Sequence, residues 1–271
     1  MGKLLDYLVP RLKMAYGRSF AAFATALYRR PYDLTQLVRI GTDYGGWYCD
    51  RRLLGAGKAA MCCGAGEDIS FDVALNSSWD MKVTCVDPTP RAIRHVEALL
   101  AAHAADARMM IEAGPLHYDL CGFRPAAFHF VASAVWSKDG VLDLYAPRNP
   151  AFVSYSALNL QRTSARIQVR ASTLESLVRE LGITQLSVLK LDIEGAEHEV
   201  LRSMLLSSIR PDQLLVEFDE VNQPLTPLFW VELLSTMRQL RDAGYDLVLR
   251  EHANFVFIYR SAAVRAKPSS S

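Results

Sequence analysis

Leu189-Lys190-Leu191-Asp192-Ile193-Glu194-Gly195-Ala196-Glu197 is an apolar run that stops in three carboxylates grouped around a glycine, after which a helical pattern begins. Residues 187–191 have the length and composition of a buried strand. In an open α/β sheet, ligands and reacting groups collect beyond the carboxyl ends of the strands. A strand ending in Asp-x-Glu-Gly therefore marks a candidate reaction site. Acidic residues in a first helical turn also offset the helix dipole, so on these nine residues alone capping and chemistry are both open. A second cluster of glycine and acid, far upstream, shifts the balance toward chemistry.

Outward from this strand, strand-like and helix-like patterns alternate, which predicts a mostly parallel sheet with helices on both faces. Strands are expected at 58–63, 81–86, 213–218, 245–250 and 255–259. Thr89 and Pro90 suit the cap and first position of a helix running to about residue 105. Segments 128–136 and 141–145, joined by Ser137-Lys138-Asp139-Gly140, read as a hairpin. Ser172-Thr173-Leu174-Glu175 is a capping box, and Gly182 ends its helix. The last two strands, interrupted by His252-Ala253-Asn254, look antiparallel. The domain reading is a helical extension over 1–40, one α/β domain over 41–262 and a flexible tail over 263–271.

Composition narrows the partners. Of the 271 residues 51% are hydrophobic and 22% charged, with a formal charge of +1, which makes no electrostatic case for nucleic acid. Five cysteines, an odd number without a C-x-x-C pair, point to a reducing, cytoplasmic compartment and no structural zinc. Residues 1–30 stand apart, with six Lys or Arg against one Asp. The uncharged run 19–28 is shorter than the roughly 20 residues that span a bilayer. Two readings remain for this segment: a helix packed on the domain, or a basic amphipathic helix in peripheral contact with a membrane.

The upstream cluster is Gly64-Ala65-Gly66, placed directly after a strand and before a helix. Glycines there allow a tight turn and a close approach of ligand to backbone. Asp87 follows at the end of the next strand, where nucleotide-binding folds hold ribose hydroxyls; Pro88 keeps it extended. Charge selects among adenosine ligands. A pyrophosphate wants the bare positive end of a helix, whereas this helix opens with Glu67 and Asp68, and bulky Ile69 takes the place of a third glycine. Two carboxylates repel a pyrophosphate but tolerate the ammonium and sulfonium of S-adenosylmethionine. The methyl donor is therefore the expected cofactor, ahead of a dinucleotide.

With these residues in view, the chain resembles the FkbM-type S-adenosylmethionine-dependent methyltransferases over roughly residues 45–259. The resemblance rests on Gly64-Ala65-Gly66-Glu67-Asp68-Ile69-Ser70-Phe71-Asp72, Asp87-Pro88-Thr89-Pro90, the stretch 189–197 and Leu215-Val216-Glu217-Phe218, in that order. Tyr155-Ser156-Ala157-Leu158-Asn159 is similar to the family's loop ahead of the capping-box helix. It implies the class I methyltransferase fold: a Rossmann-like, seven-stranded, mostly parallel sheet whose last strand is antiparallel. It also implies methylation, often at hydroxyls of sugars or natural products. The adenine-contacting acid is hard to place, and Asp119 is a candidate.

The site expectations follow. Asp192 and Glu217, at the ends of adjacent strands, are the candidates for base or substrate positioning. Gly64, Gly66, Glu67, Asp68, Asp87, Pro88 and Glu194 are assigned to the cofactor, with capping an open alternative for Glu194 and Glu197. Tyr155 and Asn159 are assigned to a small-molecule or glycan acceptor, a solvated loop being the alternative. No metal is assigned, and His198 is read as a surface helical residue. The competing functions are a non-catalytic scaffold that keeps the fold, and a nicotinamide-dependent oxidoreductase or epimerase.

Overall fold

The computed structural model describes residues 2–111, 116–147, 155–158, 163–224 and 226–265, with side chains from Val9 and from Arg11 onward. Helix α1 (Gly2–Tyr28) leads to a hairpin of β1 (Leu37–Ile40) and β2 (Trp47–Asp50), in which Leu37 lies opposite Asp50. Then come β3 (Ala59–Cys63), α2 (Ser70–Ser77), β4 (Lys82–Val86), α3 (Pro90–Ala104) and β5 (Phe128–Val131). Strands β6 (Ala134–Val135), β7 (Gly140–Tyr145) and β8 (Arg166–Ser172) form a small separate sheet. The chain continues through α4 (Leu174–Glu180), β9 (Leu186–Leu191), α5 (Glu197–Leu206) and β10 (Gln213–Glu217). It closes with α6 (Phe229–Asp242), β11 (Tyr245–Glu251), β12 (Asn254–Tyr259) and α7 (Arg260–Arg265).

The main sheet has seven strands in the order β11-β12-β10-β9-β3-β4-β5. Strand β12 runs antiparallel to both of its neighbours, while β10, β9, β3, β4 and β5 pair in parallel. This is the sheet implied by the resemblance. Its central strands read as nearly continuous apolar runs because both faces are covered. In β3, Ala60 and Cys62 pack into one core layer and Met61 and Cys63 into the other. Chain order reverses between β3 and β9, and a crevice opens at such a switch point, beyond the carboxyl ends of the strands.

Helix α1 packs on this domain through small residues. Ala21 and Ala24 are fully buried in the layer beneath α5 and α6, Phe20 stacks on Trp230, and Tyr16 donates to the Pro227 carbonyl at 2.7 Å. A Cβ on Gly17 would lie 2.2 Å from the Val221 carbonyl oxygen, so only glycine lets the helix approach this closely.

Several expectations change. The hairpin predicted over 128–145 does not form. Segment 128–136 breaks at Ser133, whose hydroxyl turns inward to Ser172 at 2.9 Å; β5 joins the main sheet, while β6 and β7 both pair with β8, a strand the sequence reading lacked. The boundary at residue 40 cuts the β1–β2 hairpin, and α7 carries helix to Arg265, into the expected tail. Thr173 caps α4 by accepting from the Ser176 amide.

Candidate active site

Four strand ends meet at the switch point. Gly64 follows β3 in the left-handed region (φ +92), where a Cβ would fall 1.8 Å from the Asp192 carbonyl oxygen. The two loops touch there, backbone to backbone. The Gly64 amide donates to Val86 and the Asp192 amide to Cys63, tying the ends of β3, β4 and β9 into one rim. Gly66 also has positive φ, and a Cβ there would meet nothing within 4 Å; its open side faces a cavity of about 510 Å³.

Asp87, buried at the end of β4, accepts from the Ala65 amide at 2.9 Å and from the Thr89 amide at 2.7 Å. Its carboxylate thus fixes the glycine turn and the start of α3 while lining the cavity with Pro88. Glu67 pairs with Arg91 at 2.8 Å at the rim. Asp68 accepts from the Thr42 hydroxyl and, at 2.8 Å, from the Ser70 amide, so its carboxylate is committed to the β1–β2 connection and the entry to α2.

On the other wall, Asp192 follows β9 and Glu217 ends the neighbouring parallel strand β10, so the two carboxyl groups line the cavity side by side. Burial, then the nearby charges of Asp192 and Glu194, push Glu217 up to about 8. Below them lies Lys190, 4% exposed, donating to the Gly64 carbonyl at 2.8 Å and sitting 3.2 Å from Asp192. Burial works against its charge, but Asp192 and Asp72 outweigh it and hold the ammonium above its ordinary pKa. Trp47 lies under this cation, its ring centre 5.8 Å from Nζ.

The loop after β9 separates its acids. Glu197 is fully buried and accepts from the amides of Ile193 and Gly195 at 2.8 and 3.0 Å. It holds the loop and does not face the cavity. Glu194 has φ +58, a conformation rare outside glycine. It lines the 510 Å³ cavity and also a neighbouring one of about 820 Å³.

Tyr155 lines the first cavity, and Asn159 lies outside the described residues. Asp119 is exposed, accepts from the Cys121 amide and does not line the cavity, so the structure moves it away from any adenine contact. His198 is buried instead of exposed, with Nδ1 2.7 Å from Thr236, Nε2 2.5 Å from Glu220 and its ring stacked on Phe218. Tertiary packing of α5 against the turn after β10 overrides its helical placement.

Asp219 was missed. It lines both cavities, and its Oδ2 is buried with no hydrogen-bond partner. Burial, then Glu197 and Glu194, raise its pKa well above the ordinary value. Its two-residue spacing from Glu217 was the available signal, since alternate residues of an extended chain share a face. Among the described residues no group of three or more His, Cys, Asp or Glu side chains is arranged to hold a metal ion.

This donor set fits S-adenosylmethionine. Asp192, Glu194, Glu217 and Asp219 face the cavity with an orphaned carboxylate oxygen among them, an arrangement that favours a sulfonium and an ammonium and disfavours phosphate. The glycine turn and Asp87 present a backbone shelf and a carboxylate to an adenosine.

Comparison with solved structures finds distant similarity. A point mutant of MtNAS is 10% identical, with TM-score 0.38, over 76% of this chain and 54% of that one; this chain thus spans about half its length. The Aeropyrum pernix fibrillarin with natively bound S-adenosyl-L-methionine is 9% identical, with TM-score 0.40, over 84% of each chain. The Methanococcus jannaschii fibrillarin is 10% identical, with TM-score 0.38, over 85% of this chain and 86% of that one. No curated protein matches. A family profile described as the methyltransferase FkbM domain matches residues 92–247, more than half of the chain. With its sheet order and its glycine-and-acid rim, the chain belongs to the FkbM family of S-adenosylmethionine-dependent methyltransferases.

Proposed function

We propose that the chain methylates a hydroxyl oxygen on a sugar, glycan or natural-product acceptor, with Asp192 as the base. The observation that carries this reading is the placement of Asp192 and Glu217 side by side at the ends of adjacent parallel strands, both lining the cavity. An alkyl hydroxyl is a poor nucleophile while it keeps its proton, so a positioned acceptor for that proton is the minimum equipment for such a transfer. Glu217, pushed up to about 8 by burial and the neighbouring acids, keeps its proton at neutral pH, and Asp192 beside it is assigned the part of proton acceptor. Lys190 anchors Asp192 and, through the Gly64 carbonyl, the glycine turn opposite.

S-adenosylmethionine, when bound, supplies an electrophilic methyl carbon. Asp87 and the Gly64–Gly66 turn hold the adenosine portion, and Glu194 and Asp219 face the cationic end. Rate then comes mainly from holding the acceptor oxygen in line with the methyl group. Tyr155, on the cavity wall, is positioned to stack on an acceptor ring.

The test is incubation with methyl-labelled S-adenosylmethionine and fractionated extracts or hydroxyl acceptors, followed by mass spectrometry and NMR of the labelled product. The expected product is a base-stable methyl ether. Label on nitrogen, or in a base-labile ester, would overturn the hydroxyl reading.

A further inference from the structure

We propose that the exposed face of α1 docks this protein on an anionic lipid surface. Leu12, Tyr16, Phe23 and Leu27, spaced by four, seven and four residues, share one side of a helix with 3.6 residues per turn, and all four are exposed, at 67, 38, 57 and 55%. Ala15, Ala22 and Ala26 extend the same face and are exposed too. The opposite side, through Gly17, Ala21 and Ala24, is already used against the domain, so the apolar stripe is not surplus core.

Charge selects the occupant. Arg11 and Arg18, seven residues apart, run along one edge of the stripe, Lys13 flanks the other, and Arg30 stands exposed just beyond the helix end. No Asp or Glu occurs from residue 7 to 32. Cations bordering an apolar face with aromatic side chains match an interfacial helix, whose basic residues meet anionic headgroups while its apolar side enters the acyl boundary. A second copy seated on this face would set two rows of like charge together. Among the described residues no helix is long and apolar enough to cross a membrane, so the contact proposed for α1 lies along the surface.

The stripe sits beside the site. Arg18 lines the 510 Å³ cavity, and Phe229, which touches Tyr16 and Phe20, lines the 820 Å³ one. Docking by α1 therefore sets the lipid surface next to a helix that adjoins both cavities.

The test is vesicle co-sedimentation of the full chain with phosphatidylcholine alone and with about 30% phosphatidylglycerol, at about 0.15 and about 0.5 M salt. Wild type is expected to bind the anionic vesicles at least tenfold more tightly than neutral ones, and to release at high salt. The Lys13→Gln/Arg30→Gln variant should bind roughly 25-fold more weakly, since each basic residue near the surface contributes about fivefold. The Leu12→Gln/Phe23→Gln/Leu27→Gln variant should lose binding to the same degree. These five side chains are exposed and lie outside the cavities, so melting temperature and S-adenosylmethionine affinity serve as unchanged controls. Equal sedimentation of wild type and variants, no binding to anionic vesicles, or a concentration-dependent dimer abolished by the triple variant would each overturn the proposal.

Discussion

Asp87 shows how one side chain serves structure and ligand together. Both of its oxygens accept backbone amides, yet it lines the cavity at the position where adenosine-binding folds hold ribose hydroxyls. Asp192 has a different profile: its side chain is 31% exposed, paired to Lys190, beside Glu217 on the cavity wall, and open to accept from an acceptor in the cavity. The two substitutions should therefore separate. Asp87→Asn can replace only one of the accepted amide bonds and is expected to weaken S-adenosylmethionine binding at least tenfold in a calorimetric titration. Asp192→Asn is expected to keep that affinity within about threefold while lowering the transfer rate by roughly 10²–10⁴, the usual contribution of a positioned base. A rate left intact in Asp192→Asn would remove it as the base, and an unchanged titration in Asp87→Asn would remove that residue from the cofactor shelf. Both carboxylates were legible because a strand-end acid next to a glycine turn is a local pattern. Asp219 and His198 were not, because their roles come from elements that meet only in the fold.

Among the elements, α1 makes the most demanding contact. Gly17 lies within 2.2 Å, measured from an ideal Cβ, of a backbone carbonyl in the short turn Asp219–Val221. That turn follows β10 directly and carries Asp219 and Glu220, the partner of His198, so the packing of α1 and the acid wall of the cavity are mechanically linked. A backbone carbonyl cannot swing aside as a flexible side chain does, so Gly17→Val must push the helix or the turn. The expected cost is about 1–3 kcal/mol, read as a lower urea midpoint, together with a weaker S-adenosylmethionine titration. Loss of stability without any change at the site would show that the turn absorbs nothing from the helix. The helix was legible from its spacing of apolar residues; its seat was not, since a single glycine inside a helical pattern gives no hint of what it faces. The same limit explains the misread segment 128–145. A run of apolar residues identifies strands, but which strand pairs with which is decided by β8, some thirty residues further on, and by the buried Ser133–Ser172 contact.

For the whole molecule, the concentration of buried acids predicts an unusual dependence of stability on pH. Glu217 is pushed up to about 8 and Asp72 to about 6, in both cases chiefly by burial, and burial also raises Glu197, Asp219 and Asp212. A raised carboxyl pKa means that the folded state binds more protons than the unfolded chain between the ordinary and the shifted value. Stability therefore falls as pH rises from about 4.5 to about 8, each unit of mismatch being worth about 1.4 kcal/mol. In the opposite direction, Asp50 is held below its ordinary value because the Arg52 and Tyr32 hydrogen bonds outweigh its burial, so its contribution disappears as pH falls below about 4. The melting temperature of the ligand-free protein should consequently peak near pH 5 and decline toward pH 8, and Glu217→Gln should flatten the decline by removing one of the groups that cause it. A cationic ligand among these carboxylates favours their ionised forms, so S-adenosylmethionine should raise the melting temperature more at pH 8 than at pH 6 and release protons on binding. A melting temperature that climbs from pH 5 to 8, or a ligand shift independent of pH, would mean that these acids do not form the wall that receives the sulfonium.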